Sequence, residues 1–159
     1  MHANADLIRK FYTSFGNRDA SGMAACYHPD VRFSDEVFTD LDGADASGMW
    51  QMLCERGKDL KVEFSDIQAD GSSGRAHWEA WYTFSATGRP VHNKIDARFE
   101  FRDGKIIRHR DTFDFPTWAS QALGPTGWLL GWSGFLKNRV RSRAARTLAA
   151  FLRERSQRQ

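Results

Sequence analysis

Apolar positions near the start of the chain recur every three or four residues. Leu7, Ile8, Phe11, Tyr12 and Phe15 fall on one stripe, which predicts an amphipathic helix with Asn4 or Asp6 as its cap. Asp19 caps a second, short helix through "ASGMAACY". His28-Pro29 ends it, because the residue before a proline is pushed out of the helical region. "VRFSDEVF" reads as a short strand. "LDGADAS" is a turn into a third helix, with Asp45 as its cap. That helix carries Met49, Trp50 and Leu53 and stops at Gly57.

Beyond this point the period falls to two. "LKVEFSDIQA" sets Leu60, Val62 and Phe64 against Lys61, Glu63 and Ser65. "DGSSG" is a turn. "RAHWEAWYTFSA" puts Ala76, Trp78, Ala80, Tyr82 and Phe84 on one face. "VHNKIDARFEF" places Ile95, Ala97, Phe99 and Phe101 opposite Lys94, Asp96, Arg98 and Glu100. "RDGK" is a hairpin turn with Asp-Gly at its centre. The next strand, "IIRHRDTFDF", contains an anomaly. One face carries Ile107, His109, Asp111, Phe113 and Phe115, apolar at both ends with a histidine and a carboxylate between. Burying a charge costs several kcal/mol unless it is paired or neutralised. "FPTWASQALGP" then returns to a short helix. Three helices and one early strand followed by a four-stranded antiparallel meander predict an α+β fold, a curved sheet covered by helices around a conical space.

Composition narrows the class. The chain has 159 residues, enough for one full-sized core, and is 41% hydrophobic and 13% aromatic with six tryptophans. The net charge of +3 is uneven. From Trp128 onward there are eight basic residues and one acid, which leaves the body with 15 basic and 19 acidic residues. The basic character therefore belongs to the tail. Cys26 and Cys54 sit in apolar contexts and read as core. The N-terminus lacks the basic start and apolar run of a signal peptide, and no stretch is apolar enough to span a bilayer. The expectation is a cytoplasmic protein.

Several chemistries find no support. "DGSSGRA" lacks the lysine and helix of a phosphate loop. The five histidines show no metal-ligand spacing, no serine sits in a nucleophile elbow, and no cofactor or metal is expected.

Three segments, "FYTSFGNRDASGMAACYHPDVRFSDEVF", "DGADASGMWQML" and "FEFRDGKIIRHRDTFD", resemble the NTF2-like superfamily. More narrowly they resemble the SnoaL-like polyketide cyclases, ketosteroid isomerase and limonene-epoxide hydrolase. The resemblance implies a cone-shaped domain over residues 1–122, with 123–159 as a basic, amphipathic helical tail that has no counterpart there. It also implies site residues. Asp35 matches the general base of the isomerase and Asp96 its protonated, hydrogen-bond-donating aspartate. Phe11, with Tyr12 adjacent, stands where that enzyme has a tyrosine. Asp111 matches the last-strand carboxylate of both the hydrolase and the cyclases. The hydrolase arginine has its counterpart only in Arg98, in reversed order.

The resemblance makes the face of His109 and Asp111 the inner wall of a cavity. Asp111, Asp35 and Asp96 are then the candidate catalytic groups. His109, Arg98, Tyr12, Trp50, Trp78, Tyr82 and Phe113 are the candidate substrate-binding ones. Like charges raise one carboxylate and Arg98 lowers another, which yields an acid and a base at neutral pH. The same residues also fit a structural network in which Arg98 and His109 satisfy the carboxylates. For Asp96, period alone gives the polar face and the resemblance gives the interior.

The expected function is cofactor-free acid–base chemistry on a small, largely apolar molecule: isomerisation, cyclisation or epoxide hydrolysis. The alternative is a non-catalytic ligand-binding or dimerisation module. Trp81, Phe99 and Phe101, read as lying opposite the cavity, predict a homodimer with paired sheets. A basic amphipathic tail can meet a membrane or nucleic acid. Its modest, alanine-rich moment favours packing on its own or a partner's domain, with no nucleic-acid partner and membrane contact as the lesser alternative.

Overall fold

The computed structural model describes residues 2–158. Helix α1 (Ala3–Gly16), α2 (Ala20–Ala24), strand β1 (Tyr27–Ser34) and α3 (Gly43–Arg56) come first. The meander β2 (Lys61–Ala69), β3 (Ser73–Phe84), β4 (Arg89–Arg102) and β5 (Lys105–Thr112) follows. Helices α4 (Phe115–Leu123), α5 (Pro125–Leu130) and α6 (Gly134–Arg158) close the chain. Asp19 caps α2 as expected. The cap of α1 is His2, whose Nδ1 accepts from the Asn4 amide, and the cap of α3 is Asp42, not Asp45.

The sheet order is β1-β5-β4-β3-β2. The meander is antiparallel throughout, but β1 runs parallel to β5, so the sheet is mixed rather than wholly antiparallel. The architecture is the expected α+β cone: a curved, unclosed sheet with helices across its inner face. Two details of the strands differ from the sequence expectation. β1 begins at Tyr27, before the His28-Pro29 pair, because an edge strand tolerates proline. In β5 the pairing skips Ile107, since Glu100 faces Arg108 while Phe101 faces Ile106. This bulge turns Ile106 inward alongside His109 and Asp111 and sends Ile107 to a half-buried position.

β4 settles the conflict over Asp96. Ile95, Ala97, Phe99 and Phe101 are buried, and Lys94, Asp96, Arg98 and Glu100 are exposed. Strand period prevails, and Asp96 and Arg98 lie on the outer face. The same fact removes the ground for a sheet-to-sheet dimer, since Phe99 and Phe101 line the core rather than the outside. Trp81 alone of that trio is on the outer face, where it stacks on His92 at 4.3 Å.

The main core lies between the inner face and α1 and α3. It gathers Phe11, Tyr12, Phe15, Tyr27, Phe33, Trp50, Trp78 and Phe99. Each such side chain stabilises the fold by about 1.5–3 kcal/mol on burial. Leu148 and Phe151 of α6 belong to this core, so the C-terminal helix packs on the domain. A second cluster of Val91, Phe115, Trp118, Ala119, Ala122 and Leu136 joins α4, β4 and the start of α6. Tyr82 and Phe113 pack against both clusters and join them.

Candidate active site

The anomalous strand points its polar pair into the core. His109 is 1% exposed and Asp111 2%. In register, Asp111 faces Ala97, which in turn faces Ala76. Two small residues beside the carboxylate leave room for larger groups from elsewhere. Trp78 takes part of it, and its indole Nε1 donates to Asp111 Oδ1 at 3.4 Å. His109 Nε2 lies 2.9 Å from the same oxygen. On its far side, His109 Nδ1 is 2.8 Å from the Tyr27 hydroxyl, which accepts from Trp50 Nε1 at 2.8 Å.

One assignment of protons satisfies every member of this chain. The Trp50 N–H donates to Tyr27, the Tyr27 O–H donates to Nδ1, and the Nε2–H donates to an ionised Asp111. The imidazole is then fixed as one tautomer. It is also clamped by rings, with Phe33 at 4.9 Å, Phe99 at 4.5 Å and Phe11 at 5.4 Å. The buried carboxyl group of Asp111 thus meets two donors at one of its oxygens.

Tyr12 is the exception to this full pairing. Its hydroxyl is the one buried side-chain polar atom among the described residues without a hydrogen-bond partner. Its ring packs against Trp78 and Phe64. Burial raises its pKa well above 10, and the Asp111 charge raises it further. The phenol therefore remains a donor. Leaving such a group unsatisfied costs about 1–3 kcal/mol.

Asp35 follows β1, where the strand gives way to a tight turn. Its Oδ1 accepts from the amides of Val37 at 2.7 Å and Phe38 at 2.6 Å. Burial pushes its pKa up to about 7 in spite of those two bonds, and the charges of Asp111 and Glu36 push the same way. Tyr82 feels Asp35 as well, and burial drives its phenol up to about 12. The Tyr82 hydroxyl accepts from Trp118 Nε1 at 2.8 Å, which holds α4 over this end of the cone. Helix α6 closes the side. Lys137 Nζ meets Glu36 Oε2 at 2.6 Å, and Arg141 Nε donates to the Glu36 carbonyl at 3.0 Å.

Of the expected catalytic residues, Asp111 is buried and Asp35 half-buried, and the charge of Asp111 acts on Asp35. Asp96 is elsewhere. Its side chain is 80% exposed and bonds His77 Nδ1 at 2.9 Å on the outer face. Arg98 is exposed on that face too, beside Arg75 and Arg110 in register. Of the expected binding residues, His109, Tyr12, Trp50 and Trp78 are buried around Asp111, Tyr82 and Phe113 join the two core clusters, and Tyr82 feels the charge of Asp35. Two residues were not anticipated. Tyr27 supplies the partner of His109, and Trp118 supplies the roof.

Trp50 and Trp78 are buried within the cone, and two clefts lie on the surface. One, of about 400 Å³, runs between the 37–41 segment and α6. The other, of about 580 Å³, lies against Arg75, Arg98, Arg108 and Arg110 on the outer face. No cluster of histidine, cysteine and carboxylate among the described residues is arranged to hold a metal ion.

The profile of the SnoaL-like domain matches residues 8–109, the span that builds the cone. The chain belongs to the SnoaL-like family. Solved structures agree on the fold. A SnoaL-like polyketide cyclase candidate from Jannaschia sp. CCS1 superposes with a TM-score of 0.67 at 13% identity, covering 77% of this chain and 93% of that one. IdmH of Streptomyces antibioticus, named as a candidate polyketide cyclase, gives 0.62 at 23% identity over 76% and 98% of the two chains. An LEH-like epoxide hydrolase of M. tuberculosis gives 0.61 at 19% over 80% and 96%. No curated protein matches the chain in sequence. At these identities the likeness establishes the fold, and one fold of this kind hosts different chemistries.

Proposed function

We propose that this SnoaL-like protein is an enzyme that moves protons on a small, largely apolar molecule without a cofactor. The observation that carries the reading is the set formed by Asp111, Asp35 and Tyr12. Asp111 is the base, and both of its donors meet one oxygen, Oδ1, which leaves the second for substrate. Asp35, with a pKa near 7, can hold a proton at neutral pH and give it up. Tyr12 is a buried donor with no partner of its own, suited to an oxygen that gains charge as a neighbouring carbon loses its proton. The lining is aromatic, so the substrate is apolar over most of its surface.

Proton transfer at carbon, as in isomerisation or cyclisation, fits better than epoxide opening. Asp96 and Arg98 face outward, so an Asp–Arg–Asp group of the kind the hydrolases use does not form around Asp111. In this reading His109 is a positioning residue. Its Nε2–H holds one carboxylate oxygen and directs the other at substrate.

A second reading is favoured by one observation. Trp50 and Trp78 fill the cone, as they would in a module that kept the fold's polar residues as a structural network. A substrate must therefore enter by displacing Trp78 or by lifting α4. A thermal-shift screen with terpenoid, steroid and polyketide-like compounds, followed by turnover assays on each hit, separates the two. The enzyme reading expects a ligand that raises Tm and is converted. It expects Asp111→Asn to abolish turnover while affinity stays within about tenfold. Conversion at the wild-type rate by that variant would make Asp111 a structural partner of His109 and nothing more.

A further inference from the structure

The corner between α5 and α6 is built unlike the rest of the surface. Trp128 is 73% exposed, Trp132 77% and Phe135 67%, with Leu129 beside them. Two tryptophans, a phenylalanine and a leucine on one short stretch form an apolar cluster that a folded domain rarely leaves in water. The stretch is firmly held. Gly127 rests on the Ala119 carbonyl so closely that any side chain would collide with it. Leu136 is buried in the second core cluster and Lys137 is tied to Glu36. The aromatic cluster is thus presented by a fixed scaffold.

Its continuation along α6 is basic. Arg139, Arg143, Arg146 and Arg153 follow Phe135 at intervals of four, four, three and seven, which keeps them on one side of a helix. All four are exposed, and none forms a hydrogen bond or ion pair within the described chain. Arg139 lies over the Phe135 ring at 5.8 Å. The opposite side of α6, with Leu148 and Phe151, is the side buried on the domain. The helix therefore spends its apolar face on the fold and turns a row of unpaired guanidinium groups outward. The rest of the molecule is net negative, with 15 basic and 19 acidic residues before Trp128.

We propose that this face docks the protein on an anionic lipid bilayer, with Trp128, Trp132 and Phe135 in the interface and the arginine row along the headgroups. Tryptophan is the side chain best suited to the boundary between headgroups and acyl chains. Basic residues near a negatively charged leaflet add attraction one by one. The negative body is repelled by the same surface, so the molecule is oriented as well as bound. No described helix is long and apolar enough to cross a membrane, and the contact is peripheral. Nucleic acid would use the arginines but leaves the apolar cluster in water. A second copy would cover the cluster but leaves the arginines unanswered. The bilayer satisfies both.

The test is flotation of the full chain with vesicles of phosphatidylcholine alone and of phosphatidylcholine mixed with phosphatidylglycerol, with tryptophan emission read in parallel. Binding is expected to the mixed vesicles, with a blue shift of emission and loss in high salt. Replacing Arg139, Arg143 and Arg146 together by glutamine should weaken it about a hundredfold, from roughly fivefold per charge. Trp128→Ser with Trp132→Ser should weaken it at least tenfold and remove most of the blue shift. All five positions are exposed, and matched thermal melts confirm that the fold is unchanged. Absence of binding to the mixed vesicles overturns the proposal. So does binding that survives loss of the tryptophans, equal affinity for a DNA duplex, or a dimer that the tryptophan substitutions convert to a monomer.

Discussion

At the scale of single residues, Asp35 carries a penalty that pH can read. Its pKa in the fold, about 7, stands above its ordinary value of 3.8. Between those values folding takes up a proton, so stability is greatest below about pH 4 and falls as pH rises toward 7. Above 7 the loss is constant. Asparagine keeps an oxygen for the amides of Val37 and Phe38 and carries no charge. Asp35→Asn is therefore expected to be more stable than the wild type at pH 8, by about 2–4 kcal/mol. The two should converge near pH 4. Urea denaturation at both pH values measures the difference, and a gap independent of pH would contradict the assignment. Tyr12→Phe removes the orphan hydroxyl and keeps the ring. It should leave stability unchanged or raise it by about 1 kcal/mol while lowering ligand affinity or turnover at least tenfold. A clear loss of stability would mean that the hydroxyl has a partner in the fold. These sites differ in how far the sequence discloses them. Asp111 and His109 were legible from alternation alone, because β5 keeps its period from Arg108 onward. Tyr12 was legible as a position, but its lack of a partner is a property of three dimensions. Tyr27 was missed because it reads as the end of the second helix, "ASGMAACY", which His28-Pro29 closes, whereas β1 begins at Tyr27. Its parity with Val31 and Phe33 was the available signal.

Among elements, the informative cases are those where two rules competed. In β4 the period put Asp96 outside and the family resemblance put it inside, and the period was right. Buried carboxylates need donors, and the only group hydrogen-bonded to Asp96 among the described residues is His77 on the outer face. The parallel pairing of β1 with β5 was not legible. Parallel partners carry no local turn signal that would announce them. The placement of α6 depends on the absence of a side chain. At Gly48 on α3 an added Cβ would meet the Leu152 side chain and crowd the Arg155 guanidinium. Arg155 meanwhile donates to Gln51 at 2.8 Å and Arg56 lies 5.4 Å above the Phe151 ring, so the two helices touch along their length. Gly48→Val should force α6 away and destabilise the protein by about 1–3 kcal/mol. Hydrogen exchange in α6 should quicken more than in β3 or β4. Uniform exchange in the variant would show that Leu152 simply moves aside.

For the whole molecule, the question is whether the C-terminal region is an appendage or part of the fold. The family profile ends at residue 109, and the sequence suggests a boundary near 122. The packing runs across that boundary. Leu148 and Phe151 enter the main core, Leu136 enters the second cluster, and Glu36 next to Asp35 is held from α6 by Lys137 and Arg141. Burial of three such side chains is worth about 5–9 kcal/mol at 1.5–3 kcal/mol each. That is comparable to the whole stability of an ordinary domain. A chain ending at residue 122 is therefore expected to be unfolded or aggregated, and the full chain to melt in one transition. Differential scanning calorimetry of the full chain, with the van't Hoff and calorimetric enthalpies compared, tests the second expectation. A cooperative truncated chain would make α6 an appendage. Its clasp on the Asp35 loop would then be dispensable. A truncated chain that fails to fold carries the opposite consequence. The helix proposed to meet the bilayer is then also the element that holds Glu36 beside Asp35, and whatever moves α6 at a membrane surface loosens the turn that positions Asp35.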